Sequence, residues 1–185
     1  MKITKLQIFR DNKIYIFEPY TGLLLEKNNI NFLTCDTILC DKVIKALEIN
    51  HNPYIIQKIN NYENEKKIKI NKINILHVRL LIKICKTSFL LTRIFTKLRL
   101  PIYNNSTESI IAFRKIVPSS IQNDLCLPRA LFAAITSKKF KEKGVVFIGV
   151  FLPSKSMHAW VIEDGVQPDL YDNMWINFEP VAALW

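Results

Sequence analysis

The run Asp124-Leu125-Cys126-Leu127-Pro128-Arg129-Ala130-Leu131, then Val145-Val146-Phe147-Ile148-Gly149-Val150, then Met157-His158-Ala159-Trp160-Val161 and Asp164-Gly165, decides how this chain folds. Residues 119–124 are polar and 125–135 are apolar at helical spacing, so a helix begins at about Cys126. Pro128 agrees with that start, because proline is tolerated in the first turn, where its missing N–H has no intrahelical acceptor. A cysteine there meets unpaired backbone N–H groups and the positive end of the helix dipole, and both favour the thiolate. Residues 145–152 read as a central strand, 153–156 as a turn and 157–163 as a second strand. Asp164-Gly165 is a two-residue hairpin loop, with a third strand from Val166 onward.

The expected frame is therefore a cysteine-bearing helix followed by an antiparallel β-meander, with a histidine on its second strand and a carboxylate on its third. Cys, His and Asp on such a frame suit nucleophilic acyl chemistry. The thiolate attacks, the imidazole accepts and returns a proton, and the carboxylate fixes the imidazole's tautomer and orientation. Hairpin parity chooses between two carboxylates. If Glu163 pairs with Val166, Trp160 faces Asp169 and His158 faces Tyr171, which makes Asp169 the diagonal neighbour of His158, about 7–8 Å away. A loop one residue longer would flip the parity and promote Asp172. Parity favours Asp169 and leaves Asp172 as the alternative.

Working outward, residues 1–33 look like short strands with a turn at Pro19-Tyr20-Thr21-Gly22. A helix follows from about Thr37, with Asp36 as its N-cap and Ile38, Leu39, Val43, Ala46 and Leu47 on one face. So few elements cannot enclose a large core, and 1–55 is expected to be a small module that leans on something else. Residues 56–74 are polar and repetitive, as a linker would be. A helix over 75–98 carries Leu76, Leu80, Ile84, Leu91, Ile94, Phe95 and Leu98 near one face, with Lys and Arg between them. It permits membrane-surface association, but a core helix with snorkelling lysines is the preferred reading. The catalytic domain then spans 75–185. His51 and His77 read as surface or helix-edge residues, Trp160 as a core aromatic or the floor of a cleft beside His158, and Arg129 as a surface ion-pair partner. The whole is an α+β chain.

Composition narrows the classes. With 185 residues, 49% of them hydrophobic, the chain can bury a real core. Its start lacks an apolar run before a small-residue cleavage site, and no stretch of about 18 residues is free of charge. A cytoplasmic location is expected. Four cysteines (35, 40, 85 and 126) then read as thiols rather than a disulfide frame, and none has partners at zinc-site spacing. The net charge of +10 comes with a Lys-, Ile- and Asn-rich composition, as in proteins of AT-rich genomes, and nucleic acid is not expected as a partner. No Gly-rich phosphate loop is present.

The Cys-Leu-Pro-Arg-Ala-Leu run at 126–131, the Val-Phe-Ile-Gly-Val strand at 146–150 and the His-Ala-Trp-Val segment at 158–161 resemble the lasso-peptide leader peptidases. These are cysteine proteases with a papain/transglutaminase-like catalytic domain that remove the leader from a ribosomally made precursor peptide. The resemblance covers about 108–185, and more faintly 1–50, which looks like the precursor-recognition domain some members carry. It implies Cys126 as nucleophile, His158 as general base and Asp169 as orienting carboxylate, with no metal and no cofactor in this chain. It implies the precursor's leader region and an asparagine-synthetase-like cyclase as partners, with any ATP requirement met through the cyclase. Two other classes stay open: a non-catalytic precursor-binding adaptor, and another cysteine amidase or transglutaminase on the same fold.

Overall fold

A computed structural model describes residues 3–10, 13–18, 21, 23–28, 41–51, 68–87, 99–169, 171–172 and 174–185. The architecture is mixed α+β. Strands β1 (Ile3–Lys5), β2 (Gln7–Arg10), β3 (Lys13–Glu18) and β4 (Leu23–Asn28) come first. Helices α1 (Asp41–His51), α2 (Lys72–Thr87), α3 (Ser106–Ile116), α4 (Cys126–Thr136) and the short α5 (Phe140–Lys143) follow. Strands β5 (Gly144–Phe151), β6 (Ser156–Glu163) and β7 (Glu179–Leu184) complete the chain.

The main sheet is antiparallel, in the order β1-β7-β5-β6. β5 is central, as its unbroken apolar run requires, because a strand covered on both faces has no polar side. One face, with Val146, Ile148, Val150, Ala159 and Val161, packs against the apolar side of α4, and α2 and α3 lie against α4 in turn. The other face, with Val145, Phe147, Trp160 and Ile162, packs against Val43 and Ala46 of α1 and against Trp175 and Phe178.

The expected hairpin forms, but the expected meander does not. Glu163 and Val166 exchange backbone hydrogen bonds of 2.9 and 3.1 Å. Asp164 and Gly165 have φ of 54° and 80°, the two positive values that a type I′ turn needs. Pairing with β6 then ends at Val166. Pro168 has no N–H to give to a ladder, and the next strand of the sheet, β7, lies beside β5 instead. β6 is thereby left as an edge strand.

The N-terminal residues do not stand apart from the rest. β1 pairs with β7, and Leu6 N–H donates to Val181 O at 2.9 Å where the chain passes into the second sheet, β2-β3-β4. α1 covers the rear of the main sheet, and Lys42 Nζ donates to the carbonyls of Phe140 and Lys141. Ile3–Lys5 and Asp41–His51 thus add an edge strand and a covering helix to the main sheet.

On α2 the buried face is turned by about one position from the expected one. Leu76 is 68% exposed and Leu80 is also exposed, whereas Asn74, His77, Val78 and Leu81 are buried. The helix is apolar on more than one side, so periodicity alone could not tell which stripe faces inward. Two polar residues join that face because they find polar or aromatic neighbours there: Asn74 Nδ2 donates to the Tyr103 hydroxyl, and His77 meets the Phe132 ring edge-on. The expected surface position of His77 is therefore corrected, and burial lowers its pKa. The expected Asp36 cap, most of the 56–74 linker and the 88–98 half of the helix lie outside the described residues.

Candidate active site

Cys126 is the first residue of α4, and no side chain caps that helix start. The first amides of a helix have no intrahelical acceptors, so they offer hydrogen bonds to a negative group placed there. Cys126 meets β6 at the wall of one small cavity that His158 and Ala159 also line, close enough for the His158 side chain and the Ala159 backbone N–H to favour its thiolate. An edge strand leaves such an N–H unpaired. The frame of helix and hairpin thus brings together Cys126 and His158, as the residue order implied.

His158 is buried, and its Nε2 lies 2.6 Å from Asp172 Oδ2. Nδ1 is then the nitrogen left for the thiol. Burial alone would lower the imidazole's pKa. The hydrogen bonds to Asp172 and Cys126, with the charges behind them, outweigh it and raise the pKa to about 9. For Cys126 the balance has the opposite sign: burial pushes the thiol up, while the His158 hydrogen bond and charge, the Ala159 N–H and the Arg129 charge bring it below its ordinary value. Asp172 behaves likewise, with burial opposed by His158, Arg129 and the Met174 N–H, and its pKa is lowered. Such shifts favour an imidazolium between two anions near neutral pH.

The imidazole is also clamped by aromatic rings. It stacks on Trp160 with 15° between planes and 6.1 Å between centroids, and Phe178 lies 5.1 Å away. Gly149 stands opposite His158 in the β5–β6 register, and the Trp160 ring occupies the space above it. A Cβ on Gly149 would come within 2.5 Å of that ring. Trp160 is both a core residue and the plate beneath the histidine.

The carboxylate assignment is corrected. Asp172, not Asp169, meets His158. Asp169 faces two guanidinium groups instead: Arg114 Nη2 at 2.8 Å and Arg129 Nε at 2.7 Å. The parity argument needed a continuing ladder, and the ladder stops at Val166. From there the chain runs as a loop, in which Asp169 accepts from the Tyr171 N–H and the Asp172 N–H donates to Asp169 O. Arg129, expected on the surface, is 4% exposed. Its Nη2 also reaches Asp172 Oδ2 at 3.3 Å, and its Nη1 donates to Gln122 O. Gln122 ties Arg114 to the same cluster at 2.8 Å. The sequence signal for this cluster was weak: a charged residue inside the apolar run 125–135 needs a buried counter-charge.

Beside Cys126 lies an apolar cavity of about 170 Å³, lined by Phe17, Leu127, Ile148, Met157, His158 and Ala159 as well as Cys126 itself. Cys85 lies on α2, and Cys35 and Cys40 fall outside the described residues. Among the described residues, no three His, Cys, Asp or Glu side chains are grouped to hold a metal ion, and no helix is long and apolar enough to cross a membrane.

No protein-family model, no curated protein and no solved structure matches this chain.

Proposed function

We propose that this protein is a cysteine protease with a papain/transglutaminase-like catalytic centre, acting through Cys126, His158 and Asp172. The observation that carries the reading is the placement of Cys126, first residue of a helix, and His158 on one cavity, with Asp172 Oδ2 2.6 Å from His158 Nε2. The Cys126 sulfur forms a bond to the scissile carbonyl carbon, and the carbonyl π pair moves to oxygen, near the first amides of α4. As the tetrahedral adduct collapses, the C–N bond breaks and His158 gives its Nδ1 proton to the leaving amine. Water then attacks the thioester and leaves its proton on His158. The second collapse releases the new carboxylate and restores the thiolate. Asp172 holds the ring in place and stabilises its positive charge throughout.

For substrate, the motif resemblance favours a ribosomal lasso-peptide precursor from which this protein removes the leader in the cytoplasm, with a cyclase as the ATP-using partner. The three-stranded sheet suits leader capture. β4 is an edge strand with Leu23 and Leu25 exposed, and an extended peptide adds to such an edge through main-chain hydrogen bonds. The test is incubation of the purified protein with a precursor peptide encoded beside its gene, read by mass spectrometry. A single internal cut that disappears in Cys126→Ala supports the proposal. An intact precursor, or a cut that survives in Cys126→Ala, contradicts it.

A further inference from the structure

The cavity beside the thiol is closed by a residue from the opposite end of the chain. Its other lining residues come from α4 (Leu127), β5 (Ile148) and β6 (Met157, His158 and Ala159), all near Cys126 in the fold. Phe17 comes from β3, in the second sheet, and is 1% exposed. It belongs to the main hydrophobic cluster and stands opposite Leu24 in the β3–β4 register. Ile8, Tyr15 and Leu24 share its cluster. Glu26 of β4 binds Lys155 Nζ at 2.6 Å in the turn that leads into the histidine strand, so the second sheet is latched to the β5–β6 hairpin. Lys13 and then Lys155 hold the Glu26 carboxyl down to about 2, so this latch is charged at any working pH.

The lining is apolar apart from Cys126 and His158, which face each other across the chemistry. A charged side chain entering such a space would lose its hydration without finding a partner. An apolar cavity of about 150 Å³ accommodates a benzene ring, so this one, at about 170 Å³, takes one apolar side chain up to roughly that size.

We propose that this cavity is the subsite for an apolar side chain flanking the cleaved bond, and that Phe17 is the specificity-determining residue that limits its depth. The proposal rests on the protease reading and adds the substrate class: peptides with an aliphatic or phenyl-sized residue next to the scissile position. It also gives the N-terminal sheet a part in selecting the bond as well as in holding the peptide.

The test uses the full chain and five alkylating probes: iodoacetamide and its N-isobutyl, N-benzyl, N-(2-naphthylmethyl) and N-carboxymethyl derivatives. In each, the Cys126 sulfur bonds to the CH₂ carbon and iodide leaves, so the rate at Cys126 reports how well the N-substituent fits beside the thiol. In the native protein the isobutyl and benzyl reagents should outpace iodoacetamide at Cys126, and the naphthyl reagent should lag. Phe17→Ala should raise the naphthyl-to-benzyl ratio about 10-fold or more, since differences of a methylene or so in an apolar pocket are worth about 10–200-fold. Phe17→Leu should raise it less, and it keeps the question open to test if the alanine variant does not fold. Each rate is taken relative to that of iodoacetamide on the same variant, which removes any change in the thiolate itself from the comparison. Equal ratios in the native protein and a folded variant would overturn the proposal. So would an N-carboxymethyl reagent reacting as fast as the benzyl one. Alkylation needs no peptide cleavage, so the two readings fail distinguishably: an uncut precursor would sink the protease reading whatever the probe ratios, and a flat ratio with a cut precursor would sink the subsite alone.

Discussion

Arg129 Nε lies 2.7 Å from Asp169 Oδ2, so the helix that begins with Cys126 also grips the loop that carries Asp172. Cys126 and Asp172, the nucleophile and the orienting carboxylate of the proposed mechanism, are thereby fixed relative to each other through one buried guanidinium. In the proposed mechanism Asp169 is a positioning residue, and Asp172 is the carboxylate that meets His158 directly.

The two aspartates should therefore fail differently. Asp172→Asn removes the charge that stabilises the imidazolium, and the corresponding loss in such triads is about 10⁴ in kcat. Its fold should hold, since asparagine can still accept from the Met174 N–H. Asp169→Asn takes the shared counter-charge from buried Arg129 and partly buried Arg114, and breaking a buried pair costs about 3–5 kcal/mol. A thermal melt with steady-state kinetics on each variant separates them. A stable, inactive Asp169→Asn beside an active Asp172→Asn would restore the parity assignment.

The pH profile follows from the pKa directions. His158 is raised to about 9 and Cys126 is lowered, so the thiolate–imidazolium form fills the window between them. kcat/KM should rise from acid as the thiol loses its proton and fall through about pH 9 as the imidazolium loses its own. In Asp172→Asn burial is no longer opposed by a carboxylate, so the alkaline limb should move to lower pH. The residual activity of that variant, measured across the same range, checks this, and an unmoved limb would mean that Asp172 does not set the pKa of His158.

Gly149→Ala tests the plate beneath the histidine. Its Cβ would come within 2.5 Å of the Trp160 ring and 2.9 Å of Glu179 O, so the strand or the ring must shift. Overpacking of this kind costs about 1–3 kcal/mol. Because His158 stacks on Trp160, activity should fall with stability, and Trp fluorescence should report the displaced ring. A variant with native melting temperature and rate would show that the ring moves freely.

Much of the site was legible because it is local. The start of α4 could be read from Pro128 and the polar run before Cys126, and the β6 turn from Asp164-Gly165. What could not be read is what depends on distant pairing. β7 lies beside β5, β1 lies beside β7, and no local pattern specifies either neighbour. The choice of Asp169 over Asp172 turned on whether strand pairing continued past Val166, where Pro168 was the one available warning. Arg129 looked like a surface charge because its two carboxylate partners lie some forty residues further along the chain.

Removal of residues 1–73 tests how far the N-terminal elements serve the site. The truncation would strip β1 from β7, α1 from the rear face of the sheet and Phe17 from the cavity. An exposed strand edge and an uncovered apolar face favour aggregation. The truncated protein should be poorly soluble and should lose the enhanced reactivity of Cys126, both read from size-exclusion chromatography and thiol labelling. A soluble monomer with native reactivity would show that residues 74–185 carry a complete catalytic unit.

The central claim is that His158 holds Cys126 as a thiolate, and the most direct measurement is the pH dependence of iodoacetamide alkylation, followed at each cysteine by mass spectrometry. In the native protein Cys126 should label fastest, with a rate that stays high well below the ordinary thiol pKa of about 8.5. In His158→Ala that acid-side reactivity should vanish, and the rate should follow a simple rise through the ordinary thiol range or above it. Equal pH profiles for Cys126 in the two proteins, or a Cys126 that reacts no faster than Cys85, would contradict the claim.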